Sequence, residues 1–294
     1  MKPAHIAMAV CVMAVWGFNF VVIKIGLRDF PPLLFNGLRF FLVAFPLILF
    51  VKFPKHVWKP MVGAGVMLGV FKFSFLFTGM NAGIGAGLSS LLLQSQVFFT
   101  VALAAIIAGE RITRMHGAGL LLGAAGLAVI GAQTGENITV AGFVWVIAAA
   151  FAWAVANMFM RKTKQASPLQ FIVWMSAVPA LPLFALSFLQ EGEDEIVRAF
   201  ANVGWTGVGA VLYITLISTI WGFSVWVRLL SLYSAAAVAP FALLVPVAGI
   251  FFGWLLLDES IAAGEWAGAA CVFCGLAIYV FCERKRGQQP ADAL

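Results

Sequence analysis

Long apolar stretches separated by short polar breaks follow one another along the whole chain of 294 residues. Each stretch is continuous rather than alternating, and is close to the roughly 20 apolar residues that a helix needs to cross a bilayer. Lipid offers no hydrogen-bond partners to the backbone, so such stretches are helices. The pattern predicts an all-α membrane protein with ten transmembrane helices, at residues 4–25, 32–52, 59–81, 85–108, 116–133, 139–161, 168–189, 203–227, 235–257 and 264–282.

The composition fits this prediction, because 63% of the residues are hydrophobic and only 10% are charged. An average soluble protein is about 25% charged, so the soluble, disordered and disulfide-rich classes are excluded. The cysteines Cys11, Cys271, Cys274 and Cys282 all lie inside apolar stretches, which favours buried structural thiols. Cys271 and Cys274 are three residues apart on one predicted helix without acids or histidines nearby, so the sequence predicts no metal site, and no cofactor is expected.

The charged residues are distributed unevenly between the two sets of connecting segments. Thirteen bases fall at the termini and in the even-numbered connections. The odd-numbered connections hold three bases, Lys24, Arg28 and Arg198, and nine of the twelve acids. The positive-inside rule places the basic side in the cytoplasm. We therefore expect a multi-pass membrane protein with both termini in the cytoplasm.

An internal repeat is visible at an offset of 149 residues. The sequence GERI at 109–112 matches DESI at 258–261, Gly119 matches Gly268, and Gly-Leu-Ala at 126–128 matches Gly-Leu-Ala at 275–277. Residues 1–135 and 136–294 are therefore predicted to form two five-helix repeats of one integrated transmembrane domain. Five is an odd number, so the second repeat is inverted relative to the first. Inverted repeats are typical of transporters, whose substrate site lies near the midplane.

Five segments of the chain resemble the sequences of a known protein family. They are VWGFNFVVIKIG at 15–26, PPLLFNGLRFFLVAFP at 31–46, GLSSLLLQSQVFFT at 87–100, GERI at 109–112 and APFALLVPVAGI at 239–250. Over essentially its whole length the chain resembles the EamA family of the drug/metabolite transporter superfamily. It is most similar to bacterial exporters of amino acids and their metabolites, of the YddG type and the O-acetylserine/cysteine type. The resemblance implies ten helices in two repeats, in a bacterial inner membrane.

Two bases lie inside predicted membrane helices, where an ionisable residue is a functional hypothesis by default. Lys72 is near the middle of the third helix, too deep for its side chain to reach water, and we expect it to face the substrate cavity. Arg39 lies about two turns into the second helix. It either faces the cavity, ties this helix to a neighbouring carbonyl, or extends to the interface.

Other polar and aromatic side chains at membrane depth complete the predicted substrate site. They are Trp16, Asn19, Gln94, Gln96, Trp153, Asn157, Tyr213, Ser218 and Trp221. Hydrogen bonding between helices is an equally good interpretation of the amides, and packing against lipid of the tryptophans. Gln94 and Gln96 are two residues apart and point in nearly opposite directions on a helix, so both cannot face the same cavity centre.

These residues favour a carrier of amino acids or related small metabolites, which works by alternating access through a central cavity. Lys72 or Arg39 can pair with a carboxylate, whereas an ammonium group would rely on carbonyls, amides or aromatic faces. No Asp, Glu or His lies mid-membrane to relay protons, so we expect uncoupled or weakly coupled export. The protein is expected to act as a monomer in the lipid bilayer.

Three other classes of function fit the residues less well. A proton-coupled drug/metabolite antiporter of the related small multidrug type depends on a carboxylate in the first helix, where this chain has Val15, Trp16, Gly17 and Phe18. An intramembrane enzyme requires a catalytic motif such as HExxH, GxSxG or paired aspartates, and none occurs. The scattered bases along the cytoplasmic edge suit anionic lipid and give no support to nucleic-acid binding.

Overall fold

The computed structural model describes residues 1–45, 47–108, 114–132, 138–160, 162, 167–233, 238, 241–242 and 244–286. Within these ranges the chain is almost entirely helical and contains no β-strand. The GERI motif at 109–112 lies outside the described residues, as does the predicted boundary between the repeats at 135 and 136.

The described chain forms eleven helices, which we number in chain order. Their bounds are α1 Pro3–Gly26, α2 Pro32–Ala44, α3 Lys55–Asn81, α4 Ala86–Ala108, α5 Arg114–Gly131, α6 Val140–Met160, α7 Pro168–Gln190, α8 Glu193–Asn202, α9 Trp205–Leu232, α10 Leu244–Leu257 and α11 Ala263–Arg286. The helices α1, α2 and α7 each begin with proline, whose fixed φ suits the first helical position and whose missing N–H is not needed there.

Seven of these helices are long and apolar enough to cross a membrane: α1, α2 with the turn that follows it, α3, α4, α6, α7 and α9. Three more contain shorter apolar stretches, at Gly117–Ile130 in α5, Leu244–Leu257 in α10 and Ala263–Ile278 in α11. An all-α protein with several membrane-spanning helices is thus confirmed. The count of ten spans stays a prediction.

The acidic segment after α7 is a helix, although its lack of an apolar run makes it look like a simple connection in the sequence. Gly192 adopts φ +85°, a left-handed conformation that favours glycine, and turns the chain from α7 into α8. Glu193, Asp194 and Glu195 occupy the first turn of α8, where negative side chains interact favourably with the helix dipole.

Glycines allow α5 and α11 to pack with their backbones in contact. A Cβ atom on Gly126 would lie 2.6 Å from the carbonyl oxygen of Gly268, and one on Gly275 would lie 2.7 Å from that of Gly119. The two helices run antiparallel, since the partner number falls as the residue number rises. Close approach through small residues is the usual means of association between membrane helices.

The other helices surround a phenylalanine-rich core. The largest fully buried side chains include Phe35, Phe40 and Phe77. The helix α2 packs on α7, α1 on α10, and α4 on both α6 and α10. The helix α3 packs against α6 and α7, while α9 packs against α1 and α2.

Two of the long helices widen into π-helix near their middles. The segment Val66–Lys72 of α3 and the segment Tyr213–Trp221 of α9 form hydrogen bonds one residue further along than an α-helix does. A π turn leaves backbone carbonyls misaligned and available to other donors, and such turns are frequent at functional sites. Both segments contribute to the site described below.

Carboxylates cap two helix starts at the end of the bundle where α2 and α4 begin. Glu191 accepts hydrogen bonds from the backbone N–H groups of Leu33 and Leu34, at 2.6 and 3.1 Å. Glu259 accepts from those of Ala86 and Gly87, at 2.6 and 2.9 Å. Each acid thereby satisfies two N–H groups that have no partner inside their helix and joins distant parts of the chain.

The α5–α11 contact can be tested with a single methyl group. Gly126→Ala places Cβ against the backbone oxygen of Gly268, so we expect overpacking that costs about 1–3 kcal/mol. Thermal unfolding in detergent should show a lowered midpoint. Gly117→Ala on the same helix is the control, because nothing lies within 4 Å of its added Cβ. Equal midpoints for the two variants would contradict this packing.

Candidate functional site

Lys72 is the last residue of the π segment of α3, and its side chain is buried with only 4% exposed. Its Nζ atom lies 3.3 Å from the centroid of the Phe73 ring and 4.7 Å from the centroid of a Trp153 ring on α6. In the described part of the chain this ammonium group has neither a hydrogen bond nor an ion pair. Its contacts are therefore aromatic faces, whose negative charge density attracts cations.

Arg39 of α2 is also buried and reaches across to α9. Its Nε and Nη2 atoms both donate to Thr219 Oγ1, at 3.1 and 2.9 Å. The hydroxyl of Thr219 in turn donates to the Ile214 carbonyl oxygen at 2.6 Å, five residues back along the π segment. The hydroxyl hydrogen is thus used on the backbone, and the oxygen remains an acceptor for the guanidinium.

One face of the guanidinium is in contact with the same phenylalanine that Lys72 contacts. Arg39 Cζ lies 3.9 Å from the Phe73 ring centroid. The Nη1 atom is buried without a hydrogen-bond partner among the described residues. Arg39 is thus buried and tied to a neighbouring helix, through a hydroxyl rather than the carbonyl expected from the sequence. That it also faces the substrate cavity stays a prediction.

The π segment of α3 is fixed by a residue that the sequence analysis did not select. Asn36, fully buried on α2, donates through Nδ2 to the Gly69 carbonyl oxygen at 2.9 Å and to Ser74 Oγ at 3.2 Å. Asn36 lies three residues before Arg39 on the same helix, so the two polar side chains share one face. That spacing is the signal that could have identified it.

Trp16, Tyr213 and Ser218 form a joint between α1 and α9. Trp16 Nε1 donates to the Ser218 carbonyl oxygen at 3.0 Å, and the Tyr213 hydroxyl donates to the Val15 carbonyl oxygen at 2.9 Å. The Trp16 ring also packs on Phe223. These contacts attach α1 to the π segment of α9 and leave the indole N–H and the phenol hydrogen occupied.

The amides lie in separate interhelical contacts. Gln94 Nε2 donates to the Ala242 carbonyl oxygen at 3.0 Å, while Gln96 Oε1 accepts from Asn157 Nδ2 of α6 at 2.8 Å. The two glutamines thus have partners in different parts of the chain, Gln94 in the segment before α10 and Gln96 on α6. Asn19 is buried on α1, and its Oδ1 has no partner among the described residues.

The structure therefore brings Lys72, Arg39 and Trp153 together around Phe73. It places Trp16, Tyr213 and Ser218 at the α1–α9 joint, and the glutamines and Asn157 between other helices. Trp221 is 38% exposed on the surface of α9 and has no described contact with Lys72 or Arg39. The sequence did not indicate Phe73, Thr219 or Asn36 as site residues, because a lone Phe, Thr or Asn in an apolar helix is usually a packing residue.

A second polar region lies at the end of the bundle where α2 begins. This cleft of about 480 Å³ is lined by side chains of both charge signs, among them Arg28, Asp29, Glu191, Glu195 and Arg198. Arg198 and Glu195 form an ion pair of 3.1 Å within α8. The described residues contain no group of three or more His, Cys, Asp or Glu side chains that could hold a metal ion.

The chain also matches a known protein family over most of its length. The model of the EamA-like transporter family matches residues 4–132 and 140–281. A protein of Salmonella typhimurium named "Probable amino-acid metabolite efflux pump" is 42% identical over 285 residues, which are 95% of each chain. A protein of Escherichia coli with the same name is 39% identical over 280 residues, or 93% of this chain and 94% of that protein.

More distant similarities agree with these matches. An uncharacterized transporter of Bacillus subtilis is 30% identical over 290 residues, covering 94% of this chain and 97% of that protein. A solved crystal structure aligns with 98% of this chain and 100% of its own, at a TM-score of 0.59 and 18% identity. At that identity the likeness concerns the fold alone.

The Thr219–Arg39 contact is open to a nearly isosteric test. Thr219→Val leaves the buried guanidinium without its described acceptor, which should cost about 1–3 kcal/mol. We expect a lower thermal midpoint in detergent for this variant. Ser224→Ala on the same helix removes an exposed hydroxyl that bonds only its own helix, and should change the midpoint little. A Thr219→Val midpoint equal to that of wild type would argue against the contact.

Proposed function

The chain belongs to the EamA-like transporter family, and we propose that it exports amino acids or related small metabolites across the inner membrane of a bacterium. The family and the named relatives are transporters, not enzymes. The observation that favours this function is the pair of buried cations, Lys72 and Arg39, which face no carboxylate in the described part of the protein.

A substrate carboxylate supplies the negative charge that these two side chains lack. The Lys72 ammonium has three N–H donors, and the buried Nη1 of Arg39 has two that are unused. Hydrogen bonds between ionised groups are about twice as strong as neutral ones, and more so away from water. The rings of Phe73 and Trp153 and the unpartnered Asn19 Oδ1 are the neutral groups proposed to meet the rest of the substrate.

Two inverted five-helix repeats, 1–135 and 136–294, are proposed to form the transport domain. In this scheme α1–α5 correspond to α6, α7, α9, α10 and α11. The packing supports it, because contacts come in equivalent pairs. For example, α3 packs on α6 as α9 packs on α1, and α4 packs on α6 as α10 packs on α1.

The glycine contacts of α5 and α11 support the same scheme at residue level. At the offset of 149, Gly119 is equivalent to Gly268, and Gly126 is equivalent to Gly275. Gly119 faces Gly275 while Gly268 faces Gly126, so each contact is exchanged with the other by the repeat. Such reciprocal contacts are the property of a two-fold interface.

The π segments support it as well. Residues 66–72 shifted by 149 become 215–221, inside the π segment Tyr213–Trp221. The first two helices of the repeats match at a smaller offset, with Trp16 against Trp153. The ten-residue helix α8 lies between α7 and α9 and accounts for most of the difference.

Transport is proposed to occur by alternating access around a site near the middle of the bundle, without tight proton coupling. The described acids lie in α8, near helix ends or in connections, where Glu191 and Glu259 cap other helices. No described acid contacts Lys72 or Arg39. The basic residues favour cytoplasmic termini, and a single chain containing both repeats is proposed to act as a monomer.

Transport measurements with matched variants test this function. Purified protein in liposomes should exchange labelled amino acids or metabolites saturably, in a competition screen that identifies the preferred ones. Lys72→Met should reduce exchange by about tenfold or more, because a buried charge-assisted hydrogen bond is lost. Lys59→Met is the control, since Lys59 contacts the Trp58 ring at 5.8 Å but is exposed.

Unchanged exchange in the Lys72→Met protein would contradict the assigned site. A pH-sensitive dye inside the same liposomes tests the energetics, and we expect no proton movement in fixed ratio to substrate. Stoichiometric proton movement would instead favour the antiporter mechanism.

The orientation can be measured with single cysteines in a chain whose four native cysteines are replaced by alanine. Lys55 is exposed at the start of α3, and Arg198 is exposed on α8. An impermeant maleimide added to spheroplasts should label Arg198→Cys and should reach Lys55→Cys only after permeabilisation. The reverse pattern would place the termini outside.

A further inference from the structure

The ring of Phe73 lies between two positive charges. Lys72 Nζ is 3.3 Å from the ring centroid and Arg39 Cζ is 3.9 Å from it. At such short distances neither atom fits beside the ring edge, so each lies above a face. If both lay above the same face, Nζ and Cζ would be at most about 3.4 Å apart, and the guanidinium nitrogens would lie closer still to Nζ, an approach that two like-charged groups do not make. The two cations therefore occupy opposite faces, about 7 Å apart.

This separation decides how an anionic ligand can be bound. A carboxylate that contacts Lys72 on one face of the ring is screened from Arg39 by the ring itself. A single carboxylate therefore satisfies one cation and leaves the other unpaired. Two anionic groups on one molecule, reaching round the ring edge, can satisfy both.

We propose that the preferred substrate is a small diacid, which places one carboxylate on Lys72 and the other on Arg39, on either side of Phe73. This inference rests on the proposed function, because it specifies the substrate class of the same site. Both cations have N–H groups available to a carboxylate. The Lys72 ammonium has no described hydrogen bond, and Arg39 Nη1 is buried without a partner among the described residues.

The net positive charge of the site also favours a diacid. Two like charges this close repel each other inside a bundle of low dielectric constant, and no described carboxylate lies against either. A zwitterion adds one negative and one positive charge, so the excess of two positive charges remains. A diacid without an ammonium group cancels that excess, and an acidic amino acid cancels half of it.

The experiment compares acids with their amides on the wild-type protein in proteoliposomes and detergent. The probes are succinate, its monoamide succinamate and its diamide succinamide, with glutarate and its amides as a longer series. We expect inhibition constants to rise by about tenfold or more for each carboxylate replaced by an amide. Thermal stabilisation by the same probes, which does not depend on transport, should follow the same order.

Variants assign each carboxylate to its cation. In Lys72→Met and in Arg39→Gln, succinate and succinamate should inhibit equally, because only one cation remains to be paired. Lys59→Met should keep the wild-type difference. Since the wild-type series stands on its own, misfolding of a variant leaves the test intact.

The outcomes separate this inference from the function on which it rests. If wild-type protein binds succinamate as tightly as succinate, or binds neither while a neutral amino acid competes, the diacid class is wrong and the transporter function stands. If no amino acid, metabolite or diacid is exchanged, the proposed function fails as well. A tenfold preference for the diacids that disappears in both variants supports the inference.

Discussion

The arrangement of this bundle depends on keeping two positive charges, Lys72 and Arg39, away from water without a protein carboxylate beside them. A basic side chain at the centre of a bilayer costs about 2.5–3.5 kcal/mol on insertion scales. Desolvated contact with an aromatic face returns about 2 kcal/mol, and a hydrogen bond to a charged group about 1.5–3 kcal/mol. The faces of Phe73 and Trp153 and the hydroxyl of Thr219 supply these contacts. These contacts offset much of the cost of burial and leave both cations without a carboxylate partner among the described residues, which is the basis of the proposed substrate site.

The two π segments supply the backbone on which this site is built. In α3 the widened turn ends at Lys72, and its Gly69 carbonyl accepts from Asn36 of α2. In α9 the Ser218 carbonyl accepts from Trp16 of α1, and the Ile214 carbonyl accepts from the hydroxyl that faces Arg39. The Gly69 and Ser218 carbonyls, which an α-helix would use internally, thus accept from neighbouring helices. Both π segments therefore take part in polar contacts between helices.

The sequence predicted the class of fold, the apolar segments and the burial of Lys72, because hydrophobic length and an isolated charge are properties of single segments. It could not decide between the alternatives for Arg39, since its partner Thr219 is 180 residues away and has no periodic signal. The π segments were not foreseen either, because neither contains a proline or any motif that marks a widened turn. The acidic helix α8 was not predicted, because it contains no apolar run. Contacts between residues far apart in the chain could not be predicted from single segments.

A π turn holds one more residue than the α turn it replaces, and the extra residue is accommodated within that turn, so the helix on either side keeps its register. Loss of one residue within 66–72 would therefore restore the regular helix and leave Phe73 facing as it does now. The Gly69 carbonyl would then be used inside its own helix, and Asn36 of α2 would have no acceptor there. The extra residue of α3 thus supplies a hydrogen-bond acceptor to the neighbouring helix.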